Sequence, residues 1–154
     1  MLPIDMFVQF TRAAEIAGLT EHQLKEWCMR RCLISPDVPP RGRGHNALFG
    51  WQTLLVLRLL AVVHKQFGGT VAHWGPTLNA FRQALQGVPF PALPGQIAVY
   101  DGKQVTVSSR ATLGNQQPLL ILPLDDHLNE ISRALSPEQH EIQLSLLGPL
   151  LVKQ

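Results

Sequence analysis

Two cysteines and a histidine are the residues whose spacing could hold a metal ion or sense redox state. Cys28 and Cys32 are four residues apart and would share one face of a helix, and His22 precedes them in the same stretch. A tetrahedral metal site needs a third and usually a fourth ligand, and none stands at a recognisable spacing. We therefore interpret the cysteines as two packed thiols and expect no metal and no cofactor.

The other residues capable of chemistry form no recognisable catalytic set. No serine, cysteine or carboxylate stands at a spacing typical of a nucleophile with its base, or of paired acids. The histidines outside the amino-terminal region are scattered, at His64, His73, His127 and His140. We therefore expect a binding protein and not an enzyme.

Exposed polar residues of one predicted helix indicate binding to DNA. His22, Gln23 and Lys25 occupy its first turns, the part of a recognition helix that meets base edges. Glutamine can bind adenine, whereas histidine and lysine can bind guanine or phosphate. Thr20 and Arg30, near the two ends of the helix, are assigned to the same surface. The alternative interpretation is an ordinary solvated helix face.

A short basic loop offers contacts of a second kind. Residues 35–46 read SPDVPPRGRGHN, and three prolines with two glycines exclude regular structure there. We predict a β-wing whose polar residues bind phosphates, which position a protein without reading the base sequence. Arg12 is a further phosphate candidate outside the loop. The alternatives are a solvated surface loop and an ordinary surface arginine. The wing residues assigned to DNA are Arg41, Arg43, His45 and Asn46.

Two short helices joined by a tight turn would position these residues. Thr11 is the predicted N-cap of the first helix, and Gly18 is placed to end it with a positive φ. Thr20 and Gln23 have the spacing of a capping box at the start of the second helix. A helix pair joined by a glycine-containing turn is typical of a helix-turn-helix. The predicted buried stripe of the second helix is Leu24, Trp27 and Cys28.

Two further helices are predicted after the basic loop. Residues 51–67 are apolar on nearly every side, so this helix should be buried between the first two helices and a further element or subunit. Gly68 and Gly69 end it. Residues 70–86 are predicted to form another helix, with a possible break near Gly75 and Pro76.

Beyond a proline-rich joint the pattern changes from helix to strand. Residues 96–100 and 104–108 predict a hairpin around Asp101 and Gly102, and residues 119–124 are an apolar run suited to a central strand. Asp125 or Asp126 is expected to cap a helix ending near Leu135, and Ser136-Pro137 to begin a last one. The predicted organisation is a domain at residues 1–87, a linker at 88–95 and a small α+β module at 96–154, for dimerisation or regulation.

Composition and charge favour a globular binder. Of 154 residues, 45% are hydrophobic and 16% are charged, which is enough to bury a core. The net charge of +2 is unevenly distributed, with nine Lys or Arg against five Asp or Glu in residues 1–86. The start MLPIDMFVQF lacks the pattern of a signal peptide, and the longest apolar run, residues 54–63, contains Arg58 and is too short to span a membrane. We expect a cytoplasmic protein.

Taken in order, residues 10–86 resemble the DNA-binding part of the MerR family of winged helix-turn-helix regulators. The resemblance rests on residues 13–20 (AAEIAGLT), 24–27 (LKEW) and 30–34 (RRCLI), and on Leu48-Phe49 followed by a helix with Leu54, Leu57 and Leu60. It implies that the helix from Thr20 to about Arg31 enters the major groove and that the wing touches the DNA backbone.

The chain differs from the family pattern at several positions. Ala47 stands where a wing arginine is common, Phe49 where a tyrosine is common, and Cys32 where a glycine with positive φ is expected. Family members continue into a long dimerisation helix, which the prolines of residues 89–94 exclude here.

The expected fold is mainly α, a winged helix-turn-helix DNA-binding domain followed by a small α+β module. The expected function is a MerR-like transcriptional regulator that binds a palindromic site in double-stranded DNA as a homodimer and is associated with the bacterial nucleoid. One alternative is an excisionase-like or architectural factor that bends DNA. Another is a protein–protein adaptor, antitoxin-like, whose helix-turn-helix no longer binds DNA. No residue identifies a small-molecule effector, and no membrane association is expected.

Overall fold

The structure, a computed structural model, describes residues 6–42, 46–114 and 117–136. Helices and two small antiparallel sheets share one hydrophobic core in this part of the chain. A π-helical segment, Glu26–Arg30, continues the second helix directly, and the combined element Glu21–Arg30 is called the α2–π helix below. The main elements in chain order are β1 (Val8–Gln9), α1 (Phe10–Ala17), α2 (Glu21–Lys25), β2 (Leu48–Phe49), α3 (Trp51–Phe67), α4 (Val71–Ala84), β3 (Gln96–Tyr100), β4 (Val105–Ser109), β5 (Leu120–Pro123) and α5 (Asp125–Leu135).

The first helix ends as predicted but does not begin as predicted. Gly18 has a φ of 72° and closes α1 through backbone hydrogen bonds to the carbonyls of Ala14 and Glu15. The predicted Thr11 cap is wrong, because α1 already begins at Phe10, after an N-cap residue without a side-chain hydrogen bond. The ring of Phe10 lies 6.5 Å from that of Phe49, so apolar packing takes the place of a polar cap at this end.

A small sheet joins the start of the chain to the basic loop. Strands β1 and β2 pair antiparallel, with Val8 opposite Phe49. Val38 forms an isolated antiparallel bridge with Leu48, with backbone N···O distances of 3.1 and 2.9 Å. The two arms of the basic loop therefore meet at its base.

Helix α3 is the centre of the hydrophobic core. It spans Trp51–Phe67 and ends at Gly68 with a φ of 65°, which confirms the predicted bounds. It packs against α1, α4 and α5, so the further element expected on its free side includes α5 of the same chain. Nine of its residues are buried, namely Trp51, Thr53, Leu54, Leu55, Val56, Leu57, Leu59, Leu60 and Val63.

Helix α4 is continuous, and the predicted break near Gly75-Pro76 is wrong. It spans Val71–Ala84 with Pro76 inside it, and a 3₁₀ turn, Leu85–Gly87, follows. Gly75 is buried, and a Cβ atom built on it would lie 2.9 Å from the Cβ of Leu33. The glycine is therefore explained by a close approach of α4 to the segment that follows the α2–π helix.

The carboxyl-terminal part contains the predicted hairpin in a three-stranded sheet. Strands β3 and β4 pair antiparallel, and the Asp101 carboxylate accepts the N–H groups of Lys103 and Gln104 in the connecting turn. The sheet order is β4-β3-β5, so the apolar run at residues 119–124 forms an edge strand, and the prediction of a central strand is wrong. Ile121 of β5 is exposed, whereas the middle strand β3 has the buried residues Ile97 to Val99.

Helix α5 spans Asp125–Leu135, close to the predicted range, but neither aspartate caps it. Its N-cap residue is Leu124, and the Asp125 carboxylate instead accepts the N–H of Gly95 at 2.7 Å. Asp125 therefore ties the helix to the proline-rich joint. The helix predicted to begin at Ser136-Pro137 lies outside the described residues.

The predicted domain and the predicted module pack against each other. The rings of Trp74 in α4 and Tyr100 in β3 lie 4.7 Å apart, and those of Trp51 and Phe90 lie 5.2 Å apart. The same hydrophobic cluster includes Leu128 and Ile131 of α5. No helix among residues 6–42, 46–114 and 117–136 has the length and apolar character needed to cross a membrane.

Candidate nucleic-acid interface

The α2–π helix begins with a complete capping box, as predicted. The N–H of Thr20 donates to Oε1 of Gln23 at 3.0 Å, and the N–H of Gln23 donates to Oγ1 of Thr20 at 3.1 Å. Both predicted contact residues thus have a structural task. Oε1 of Gln23 also accepts the hydroxyl of Thr20 at 3.4 Å, so both its lone pairs are used while the box is formed and only the NH₂ donors are left. Gln23 therefore suits an acceptor such as a phosphate oxygen better than the donor–acceptor pair of adenine.

The inner side of this helix is fixed by apolar contacts. Leu24, Trp27 and Cys28 are all buried, which confirms the predicted stripe. The ring of Trp27 meets that of His64 edge to face at 5.7 Å and so anchors the helix to the end of α3. Burial raises the pKa of the Cys28 thiol to about 12. These contacts leave one side of the helix for an external partner.

The outer side carries cations that differ in their partners. His22, Lys25 and Arg31 are exposed, and no ion pair involves Lys25 or Arg31 within the part of the chain that the structure describes. Arg30 is already paired with Glu26, with an N···O distance of 2.5 Å. Arg31, absent from the predicted contacts, is therefore better placed than Arg30 to bind an anion. The signal in the sequence that could have excluded Arg30 is Glu26, which stands four residues before it at the spacing of an ion pair on one helix face.

The second half of the helix is wound as a π-helix, which no feature of the sequence predicted. The N–H of Arg31 donates to the carbonyl of Glu26, five residues earlier, at 2.8 Å. Cys32 then adopts a φ of 51°, as expected from the glycine that the MerR pattern has there. It is a non-glycine residue in the left-handed region, and it ends the helix.

The loop residues assigned to phosphate are only partly within the described residues. Arg41 and Asn46 are exposed, and Gly42 has a φ of 71°. Arg41 has no ion-pair partner among the described residues. The predicted contacts Arg43 and His45 lie outside the described residues. Ala47 is buried, so its position within the loop serves packing.

Arg12, the phosphate candidate outside the loop, lies in α1 and has partners within the protein. Its guanidinium pairs with Glu15 at 2.9 Å and approaches the carbonyl of Ala134 in α5 at 3.4 Å. Its guanidinium thus lies beside α5.

The two cysteines have different environments, so the interpretation of two packed thiols is wrong for one of them. Cys28 is buried, whereas Cys32 is exposed because it lies past the end of the helix. Among residues 6–42, 46–114 and 117–136, no group of three His, Cys, Asp or Glu side chains could hold a metal ion.

Comparison with known proteins adds no family to these observations. The chain matches no model of a protein family, and a search of curated proteins finds no match to it.

Proposed function

We propose that this protein is a DNA-binding transcriptional regulator that uses the α2–π helix as its recognition helix. The observation that carries the proposal is the division of this helix into two sides. One side is anchored in the core by Leu24, Trp27 and Cys28, while Lys25 on the helix and Arg31 at its end are exposed and have no carboxylate partner among the described residues. Such an anchored cationic helix suits the major groove.

The loop that follows supports the same assignment as a wing. Its base is closed by the bridge between Val38 and Leu48, and Arg41 is exposed beyond that bridge. An arginine held near the end of a short loop can bind the phosphate backbone beside the groove. In this proposal Arg41 positions the protein, while His22 and Lys25 contact base edges.

The proposal is tested by measuring DNA affinity over a range of salt concentrations. We expect wild-type protein to bind genomic fragments with an affinity that falls steeply as salt rises, because phosphate contacts release counterions. Arg41→Ala should reduce the slope of log K against log salt by about 1, and Lys25→Ala should weaken the preferred site by about 1–3 kcal/mol. Lys103→Ala is the matched control, because Lys103 is exposed at the β3–β4 turn. Equal affinities for wild type and the Lys25 and Arg41 variants would contradict the proposal.

The same proposal includes the assembly: the protein binds a palindromic DNA site as a homodimer. Selection of bound sequences from a random pool, combined with the mass of the complex in solution, should yield two inverted half-sites with two chains bound. Bending of DNA without an effect on transcription would favour an excisionase-like or architectural factor. Co-purification of a stoichiometric protein partner, without salt-sensitive DNA binding, would favour an adaptor.

A further inference from the structure

A cavity between α1, α3 and α5 contains charge that the proposed DNA-binding surface does not use. Its volume is about 230 Å³, and its lining includes Arg12 and Glu15 from α1, Arg58 from α3, and Glu130 and Arg133 from α5. We call it the Arg58 pocket. It lies between α1 and α5, and Arg12, which is predicted from the sequence to bind DNA phosphate, is among its lining residues.

The charges around this pocket are not balanced. Arg12 pairs with Glu15 at 2.9 Å, and Arg133 pairs with Glu130 at 3.0 Å, each within its own helix. Arg58 is half-buried and has no carboxylate within ion-pair distance among the described residues. Partial removal from water disfavours a charge, so an added anion would stabilise this half-buried guanidinium.

The protein groups that hold Arg58 are neutral. Its Nε donates to Nδ1 of His127 at 3.0 Å, and its Nη1 donates to the carbonyl of Ile16 near the end of α1. A guanidinium has five N–H donors, so three of them have no acceptor among the described residues. Desolvation lowers the pKa of Arg58, and the nearby Glu130 carboxylate opposes this shift. The cation is thus oriented and partly desolvated, and no carboxylate of the described residues is within ion-pair distance of it.

We propose that the Arg58 pocket binds a small oxyanion, the carboxylate or phosphate group of a low-molecular-weight ligand. The open edge of the Arg58 guanidinium supplies a planar pair of donors that matches such a group. Arg12 and Arg133 lie at the same pocket and can turn from their exposed partners to the ligand, since surface ion pairs of this kind contribute little. Ligand binding would connect α5 with α1 and α3.

The size of the pocket limits the ligand. Pockets for drug-sized ligands are usually about 300–1,000 Å³, so a volume of about 230 Å³ fits a smaller molecule, such as a phosphate ester with a short substituent or a short-chain dicarboxylate. Inorganic phosphate and succinate are therefore suitable probes for the two chemistries.

The test is a titration of the full chain with each probe. Binding is measured by isothermal titration calorimetry and, in parallel, by NMR of the arginine Nε–H groups. We expect saturable binding of one probe and a shift of the Arg58 Nε–H signal on binding. Arg58→Gln should weaken binding at least about tenfold, because a charged hydrogen-bonded contact is lost. Glu130→Gln should strengthen it by removing a carboxylate that competes for the pocket. Arg110→Gln is the control, because Arg110 is exposed in the 3₁₀ turn after β4.

If Arg58→Gln fails to fold, Glu130→Gln still tests the proposal. Glu130 is exposed and glutamine has a similar shape, so this variant should fold. Absence of saturable binding by both probes would overturn the proposal, as would equal affinities of wild type and Glu130→Gln. Displacement of the bound probe by a short DNA duplex would also overturn it, because the pocket would then be a contact for DNA phosphate. None of these outcomes depends on whether the protein regulates transcription.

Discussion

The carboxylate of Asp37 accepts the backbone N–H of Gly50 at 2.6 Å and thereby completes the start of α3 from thirteen residues away. Gly50 is the N-cap residue of this helix and has no side chain of its own to accept a hydrogen bond. Asp37 precedes Val38, which closes the base of the loop, so one contact fixes both the loop and the central helix. A negative charge at a helix start is also favourable for the helix dipole.

Replacement of Asp37 should therefore destabilise the protein. Asp37→Ala removes a capping acceptor, and we expect a loss of about 1 kcal/mol in the free energy of unfolding, measured by urea denaturation. Asp37→Asn keeps an oxygen acceptor and should lose less. An alanine variant as stable as wild type would show that the contact contributes nothing.

The close approach at Gly75 predicts a steric effect of a single methyl group. In Gly75→Ala the new Cβ would lie 2.9 Å from the Cβ of Leu33, so α4 and the segment that follows the α2–π helix must move apart. We expect a loss of about 1–3 kcal/mol in stability, as is typical of overpacking. Gly87→Ala is the matched control, because a Cβ there meets no atom within 4 Å, and it should change stability by less than about 0.5 kcal/mol.

The left-handed conformation of Cys32 predicts a stabilising exchange. With a φ of 51°, the position suits glycine better than any residue with a Cβ atom. Cys32→Gly should raise the free energy of unfolding by about 1 kcal/mol, whereas Cys32→Ala retains the strain and should not. Thermal denaturation of wild type and the two variants measures the difference in stability. A glycine variant no more stable than the alanine variant would show that the backbone at this position is not strained.

The different exposure of the two cysteines predicts selective modification. Cys32 is exposed, whereas Cys28 is buried with a pKa raised to about 12, so it holds almost no thiolate at neutral pH. Iodoacetamide should therefore label one site in the native protein and two in the unfolded protein, as counted by mass spectrometry of peptides. Equal labelling of both sites under native conditions would mean that the helix opens readily.

The hydrogen bond between Arg58 and His127 predicts a dependence of stability on pH. Burial lowers the pKa of His127 below its ordinary value of 6.5, and the adjacent Arg58 lowers it further, while Asp126 opposes the shift. The unfolded chain then binds a proton more readily than the folded one, so this contribution is present above pH 6.5 and is lost as the pH falls below it. His127→Gln keeps an acceptor but cannot titrate, and its stability should fall less than that of wild type on acidification below pH 6.5. Parallel profiles of the two proteins in urea would contradict this assignment.

Features governed by neighbouring residues could be predicted from the sequence. Gly18 and Gly68 end their helices because only glycine adopts the left-handed conformation without strain, and Thr20 with Gln23 forms the capping box within four residues. The turn around Asp101 is equally local. In the candidate site, the same local patterns predicted the exposure of Lys25 and Arg41.

Features that depend on distant partners could not be predicted in this way. Arg58 and His127, which are hydrogen-bonded, are 69 residues apart in the sequence. Gly75 suggests a helix break when the sequence is considered alone, but the structure shows that it allows α4 to approach Leu33. Strand β5 is apolar enough for the middle of a sheet. It lies at the edge because β3 occupies the middle and pairs with β4 on its other side.

The π-helical segment also gives the α2–π helix one residue more than the α-helical hydrogen-bond pattern allows. Deleting one residue between Glu26 and Arg30 would therefore restore α-helical winding and leave the residues on either side close to their present angular positions. Each residue of an α-helix advances the side chain by about 100° around the axis, so deleting one residue from the α-helical part, Glu21–Lys25, would instead rotate the exposed side chains on one side of the deletion relative to those on the other.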